Sequence, residues 1–475
     1  MQKRTKIVAT IGPATESEEM LEQLVHAGMN VARFNTKHNE PAWHIERMER
    51  VRRVGHKLGK PVAVLVDLQG PEIRTDFLNG AESFEAKPED NVYFTCDSEF
   101  AKRDAKAVLV PEPMVHALKE GDTILIDDGK GEFVVVKREE KTITVRAQEP
   151  IVVKRRKTLN TPSVTIELPS LIEKDLLYID AARNDLVDFV ALSFVRHKED
   201  IEILRAELVK RKLTAKIVAK IENQSAIDNI DEIIQAADAV MVARGDLGVE
   251  VPYHELARWQ KLIIQKSREL AKPVITATQM LQSMVTSPRP SRAEVTDVSN
   301  AVYDGTDAVM LSDETTIGQY PVKAVAAQAQ ISQYTEQHAV PPQIYTEDID
   351  PTTCITHAAM SLIAASKRPT NPLHINAIVC LTETGTTAKL LSRFREPLPI
   401  FALTPSPEAY QQMSLIYGVE PIMVDFANRQ LTLEEITAKI KELNIIKSGD
   451  TILIVHGTHW RDPGMTNTLN VVQLP

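Results

Sequence analysis

A chain of 475 residues is too long for one hydrophobic core and divides into two or three domains. A net charge of −10, with no Lys/Arg run interleaved with aromatics, excludes a nucleic-acid-coating surface, and no apolar run is long enough to span a membrane. Cys96, Cys354 and Cys380 lie far apart without metal-ligand spacing, so neither a disulfide framework nor a zinc site is indicated and a reducing cytoplasm is expected, the more so because Met1 to Lys6 leads into a strand without a signal-peptide core.

In chain order, strands are predicted at Lys6 to Ile11, Asn30 to Phe34, Val62 to Asp67, Asp188 to Phe194, Lys216 to Glu222, Ala239 to Ala243, Pro273 to Thr278 and Ala308 to Ser312. Helical patterns stand between them, at Ser17 to Ala27, Ala42 to Leu58, Lys198 to Arg211, Ala226 to Ala236, Tyr253 to Leu270, Arg292 to Tyr303 and Val322 to Gln337. Eight βα units close into a (β/α)8 TIM barrel over residues 1–75 and 158–338, with functional residues at the C-terminal strand ends. The gap from 76 to 157 has strand patterns of its own, at Asn91 to Thr95, Thr123 to Asp127, Glu132 to Lys137 and Thr142 to Ala147. It reads as an inserted small β-barrel lid domain. Beyond the linker at Ala339-Val340-Pro341-Pro342 and Glu347-Asp348-Ile349-Asp350, strands recur at Ala377 to Leu381, Pro399 to Leu403, Glu420 to Val424 and Thr451 to Val455. Residues 345–475 are therefore expected to form an open C-terminal α/β domain.

Chemistry collects at the barrel's strand ends. In the fifth strand, Lys220 and Glu222 share a face while Ile221 takes the other. The sixth delivers Asp246 to a turn flanked by Gly245 and Gly248, where backbone approaches a ligand closely. Two carboxylates and a lysine suit a hydrated divalent cation such as Mg2+ beside an anionic substrate. Arg33-Phe34-Asn35, Asp67, the Gly70-Pro71-Glu72-Ile73-Arg74 turn, Thr278 and Ser312-Asp313-Glu314 complete the ring. There is no nucleophile–base dyad; the set is one for phosphoryl transfer, where positioning and charge neutralisation dominate. Singly, Arg33 and Arg74 are equally rim ion pairs, Thr278 and Ser312 helix caps, and His38 a hydrogen-bonding loop residue.

Over nearly its whole length the chain resembles the pyruvate kinase family. The runs that carry the resemblance are Thr10-Ile11-Gly12-Pro13-Ala14, Gly28-Met29-Asn30-Val31-Ala32-Arg33, Asp67 to Thr75, Ser193-Phe194-Val195-Arg196, Lys220 to Asn223 and Ala243 to Gly248. Later come Ala277 to Met284, Pro290 to Val298 and Met310-Leu311-Ser312 with Glu314-Thr315. The resemblance implies transfer of a phosphoryl group from phosphoenolpyruvate to ADP, giving ATP and pyruvate. It implies Mg2+ (or Mn2+) on Glu222 and Asp246, Lys220 neutralising the phosphoryl group in flight, and Arg33 and Arg74 gripping phosphate. It implies the substrate carboxylate at Gly245, Asp246 and Thr278, proton delivery near Thr278 and Ser312, and the nucleotide near Arg74, Asn35 and His38. It also implies a lid that excludes water, and a homotetramer.

Two positions depart from the family. The loop after the second strand usually reads Asn-Phe-Ser-His-Gly, and here is Asn35-Thr36-Lys37-His38-Asn39. The family's K+ site uses the positions of Asn35, Asp67 and the carbonyl of Leu68 together with that serine, so the Lys37 ammonium is a candidate replacement for the ion, paired with Glu72 or Asp67; an outward-pointing surface lysine is the alternative. Asp313 stands where the family has glycine, either perturbing substrate affinity or facing solvent. In the last domain, Thr382-Glu383-Thr384-Gly385-Thr386-Thr387 resembles the family's sugar-phosphate effector loop, with Trp460 and Arg461 closing the pocket and a nucleotide effector as the other class that would fit; a plain helix cap is the alternative, since Glu383 adds negative charge beside the phosphate. Two alternatives stand beside an active kinase: a barrel lyase or aldolase using Glu222 and Asp246 to hold a metal-bound enolate, and a catalytically weak sensor of phosphorylated metabolites.

Overall fold

A computed structural model of the chain describes residues 3–162, 164–340, 342–346, 350–371, 373–426, 430–459 and 466–474. Eight parallel strands close into one barrel: β1 (Lys6–Thr10), β2 (Val31–Asn35), β3 (Ala63–Asp67), β4 (Phe189–Leu192), β5 (Lys216–Ile221), β6 (Ala239–Ala243), β7 (Val274–Ala277) and β8 (Ala308–Leu311). Both faces of these strands are covered, which is why they read as continuous Val/Ile/Ala runs rather than alternating ones. Side chains still alternate by layer. Val8, Val31, Leu65, Val218, Met241, Ile275 and Met310 fill the interior, while Ile7, Ala32, Val64, Ile217, Val240 and Val309 pack outward under the helices.

Helix ends follow local chemistry. Ser17 caps Glu18–Ala27 by accepting from the Met20 N–H, and Ser291 and Glu294 form a reciprocal capping box on Arg292–Asp304. The helix expected over 226–236 is two, Gln224–Asp228 and Ile230–Ala236, because the Asn229 amide turns to the carbonyls of Arg196 and Ser225. The pattern from Tyr253 begins as a 3-10 turn before the helix Leu256–Glu269. Two helices had no signal strong enough to read: Glu173–Ala181, and Arg244–Glu250, whose glycines suggested a turn.

The insertion is not purely β. Its strands form a six-stranded sheet and a separate two-stranded ladder, with short helices at Ser98–Arg103 and Glu112–Ala117. Asp97 caps the first of these by accepting from Glu99 and Phe100. Phe94, Ile124, Phe133 and Val145 are the heart of its core. The sheet extends past residue 157, because Leu159–Asn160 pairs with Thr123–Ile126, and an isolated bridge from Arg74 to Thr158 ties the two crossing segments together.

The C-terminal sheet has the order Val419–Met423, Ile400–Thr404, Ile375–Leu381, Thr451–Gly457, Thr466–Gln473. The last strand, absent from the sequence reading, is antiparallel. This domain stops the N-terminal end of the barrel: Leu415 belongs to the interior cluster, and the Lys6 ammonium donates to the Val419 carbonyl at 2.7 Å. The opposite, C-terminal end is left to the insertion and the site.

Candidate active site

Lys220 lies near the end of β5 and is 6% exposed. Its ammonium sits 2.8 Å from Glu222 Oε1 and 3.3 Å from Asp67 Oδ1, and donates to Ser193 Oγ at 2.7 Å. Burying an ammonium costs several kcal/mol, about what well-placed partners recover. Here burial pulls the Lys220 pKa down, but the carboxylates of Asp67, Glu222 and Asp246 outweigh it and hold the proton beyond the ordinary lysine range. Burial likewise works to raise Asp67, and Lys220 and Arg33 more than reverse it. Arg33 donates to Asp67 Oδ2 at 2.7 Å and to Thr10 Oγ1 at 2.8 Å. The sequence placed Lys220, Arg33 and Asp67 at one barrel mouth, and the structure joins them in one ion-paired chain.

Glu222 continues that chain. Its second oxygen accepts from the Phe194 N–H at 2.7 Å, a geometry set by the left-handed backbone of Phe194 (φ 55°). Asp246 faces it from the first turn of the helix Arg244–Glu250, so the Gly-flanked turn is the start of a helix. Burial, then the negative charge of Glu222, push the Asp246 carboxyl up to about 7. A carboxylate pressed by burial and by a neighbouring negative charge is relieved by a cation. Among the described residues no group of three or more His, Cys, Asp or Glu is placed to hold a metal ion; the candidate donors are the two carboxylates of Glu222 and Asp246, a number Mg2+ commonly takes with waters and phosphate oxygens. These residues fit that ion.

The Gly245 N–H, expected to face a substrate carboxylate, donates to Thr278 Oγ1 at 2.7 Å. Thr278 in turn donates to the Ala277 carbonyl at 2.6 Å. Next door, the Ser312 N–H donates to Glu314 Oε2 at 2.8 Å, while Oε1 of that buried glutamate takes the Leu281 N–H at 3.0 Å. Asp313 is exposed at the start of the short helix Asp313–Thr316. That exposure agrees with the solvent-facing reading of the position.

Around β2, Lys37 is not an outward-pointing lysine. Its Nζ pairs with Glu72 Oε1 at 3.2 Å, its side chain 24% exposed. Its backbone N–H donates to Asn35 Oδ1 at 3.1 Å, and the Lys174 ammonium holds its carbonyl. Glu72 also takes Arg74 at 2.9 Å, while Arg74 donates to the Arg156 carbonyl. The Leu68 carbonyl accepts from Ser193 Oγ at 2.8 Å. His38 is exposed, its carbonyl taken by His44 Nε2. A cavity of about 130 Å3 opens beside this cluster, with Glu72, Phe194, Asp246 and Glu250 in its wall.

Known proteins with this architecture settle the family. A family described as pyruvate kinase, barrel domain, matches residues 2–325, and its partner, pyruvate kinase, alpha/beta domain, matches residues 360–472. The chain belongs to the pyruvate kinase family. It is 40% identical over 478 residues to the pyruvate kinase of Staphylococcus saprophyticus and 40% identical over 479 residues to that of Staphylococcus aureus strain MRSA252, in each case covering 99% of this chain and 80% of the relative. A crystal structure of a pyruvate kinase from Cryptosporidium parvum is similar with a TM-score of 0.90 and 31% identity, over 100% of this chain and 97% of that one.

Several residues of this pyruvate kinase site carried no separate signal in the sequence. Ser193 and Thr10 are partners rather than charges at a strand end. Ser193 lay within a family run, and only the fold shows its hydroxyl joining Lys220 to the Leu68 carbonyl. The effector-like loop is mixed. Thr384 and Thr386 are exposed and hydrogen-bonded to each other at 2.9 Å, and the Gly385 N–H goes to Thr382 Oγ1. Thr387 is instead buried against Thr466 at 2.8 Å. Trp460 and Arg461 lie outside the described residues.

Proposed function

We infer that the chain carries out the pyruvate kinase reaction: the phosphoryl group leaves the enol oxygen of phosphoenolpyruvate for the terminal phosphate oxygen of ADP, and the remaining enolate takes a proton at carbon to become pyruvate. The observation that supports it most is the buried Lys220 ammonium, held charged between Asp67 and Glu222. A fixed cation in a water-poor site neutralises charge on a phosphoryl group in flight without reorganising. Arg33, braced by Asp67 and Thr10, adds a second positive charge beside it. When bound at Glu222 and Asp246, Mg2+ (or Mn2+) would supply charge neutralisation between substrate and phosphoryl oxygens. Gly245 and Thr278, paired with each other in the free chain, exchange that bond for the substrate carboxylate, and the hydroxyls of Thr278 and Ser312 border the water that returns the proton. Arg74, Asn35 and His38 face the nucleotide. A lyase would need only Glu222 and Asp246, and would leave Lys220 and Arg33 without a role. A coupled assay of ADP-dependent pyruvate formation tests the reading. The expected result is turnover that falls about 1000-fold, roughly 4 kcal/mol on the barrier, in Lys220→Met; keto-acid cleavage without ADP would overturn it.

We further propose that Lys37 supplies the monovalent positive charge otherwise given by K+. Its pairing with Glu72 and its electrostatic reach to both Asp67 and Asp246 support this. Rates with potassium replaced by tetramethylammonium should stay within about threefold, and Lys37→Ser should restore dependence on the ion; a loss beyond about tenfold, roughly 1.4 kcal/mol, in the parent enzyme sinks the idea. The exposed Thr384 and Thr386 are proposed to meet a sugar-phosphate or nucleotide effector. A homotetramer in the cytoplasm is the proposed working form.

A further inference from the structure

Arg244 opens the helix that carries Asp246 and is 9% exposed. Its guanidinium does not point into the charged pocket. Nε donates to the Ala277 carbonyl at 3.1 Å and Nη2 to the Thr278 carbonyl at 2.7 Å. On the far side Nη1 is anchored by Asp297 at 2.7 Å and by Gln260 at 3.3 Å. Those two carbonyls belong to the peptide planes on either side of the Thr278 α-carbon, so one rigid fork fixes both planes at once. Thr278 needs that. Its φ is 68° and that of Gln279 is 52°, and a β-branched residue in the left-handed region persists only where its surroundings over-determine it. The loop then closes on itself, because Thr278 Oγ1 accepts from Gly245, the residue after Arg244.

We propose that Arg244 is a positioning residue of the reaction, locking the Thr278 backbone so that its hydroxyl stands beside the first turn that bears Asp246. This rests on the reading above that Thr278 faces the substrate and borders the returning proton. A lysine cannot replace the fork, since one point charge cannot hold two carbonyls and a carboxylate in fixed relation. The test is incorporation of solvent deuterium into the methyl group of pyruvate, followed by NMR in the full-length enzyme with Mg2+ and ATP, for Arg244→Lys, Thr278→Ala and the double variant. Each single variant should slow exchange about 100-fold, and the double variant should lie within about threefold of Thr278→Ala, because the arginine acts through the threonine. Mn2+ binding to Arg244→Lys should stay within about threefold of the parent, which a collapsed site would not allow. Should Arg244→Lys fail to fold, Asp297→Asn loosens the same anchor and should slow exchange about tenfold. Exchange undiminished in the Arg244 or Asp297 variant, with Thr278→Ala slow, or fully additive losses, would overturn the proposal. Undiminished exchange in Thr278→Ala would instead overturn the role given to Thr278.

Discussion

Asp246 keeps its proton in weakly acidic solution, since burial and Glu222 push its carboxyl up to about 7. A cation that binds there must displace that proton, so affinity rises with pH up to about 7 and levels off above it. Titrating Mn2+ at pH 6 and pH 8 should therefore show binding about tenfold weaker at the lower value, one pKa unit of linkage, and Asp246→Asn should flatten the profile; equal affinities in the parent would refute the linkage. Such residues were legible because a strand's period of two puts Lys220 and Glu222 on one face, and because charges at barrel strand ends have few structural reasons to converge. Ser193 and Thr10 were not, since a hydroxyl that links a charged side chain to a carbonyl looks in sequence like any cap. Lys37 was half legible: its departure from the family pattern was plain, its pairing with Glu72 was one of two options.

The helix Arg244–Glu250 joins the site to the insertion. Its first turn holds Asp246, while near its end Glu250 accepts from the Asn160 amide at 2.8 Å, and the lid glycine Gly129 lies over Val249. Burial raises the Glu250 carboxyl, with the Asn160 amide and the Thr161 backbone opposing, so losing that amide leaves a half-buried carboxylate short of one donor at about 1 kcal/mol. Asn160→Ala should then weaken the lid's hold on the barrel and raise the KM for ADP several-fold while kcat changes less. Steady-state kinetics decide it, and an unchanged KM would mean that the contact does not latch the lid. The strands were easy to read because buried parallel strands are long apolar runs, whereas this helix was hidden by Gly245 and Gly248, whose low propensity is overridden by the packing of Leu247 into the barrel's outer layer. The insertion's two short helices were missed for a similar reason: six residues each give too little periodicity to register.

The alternation of strand and helix patterns pointed to the barrel and to the C-terminal sheet, but nothing local told how the two meet, because that seam is made by residues 88 to 413 positions apart. Asp307, just before β8, accepts from Arg395 Nη2 at 2.6 Å, from the Tyr417 N–H at 3.0 Å and from the Val274 N–H at 3.1 Å. Arg395 also donates to the Gly305 carbonyl and stacks on Tyr417 with 4.6 Å to the ring centroid. Both members of the ion pair are buried, at 3% and 4% side-chain exposure. Removing one partner of such a pair strands the other charge and costs about 3–5 kcal/mol, far more than the net worth of the pair. Because the seam couples two separate cores, that loss falls on the docking of the domains rather than on either core. Arg395→Met should therefore split the calorimetric unfolding of the full chain into two transitions, the barrel's own transition remaining near its original position. Lys367→Met, which removes a half-exposed ammonium from Glu396 on the same domain, should shift unfolding by no more than about 0.5 kcal/mol. A single unsplit transition in Arg395→Met, displaced no further than in Lys367→Met, would show that the Leu415 plug and its neighbours hold the domains together without the ion pair.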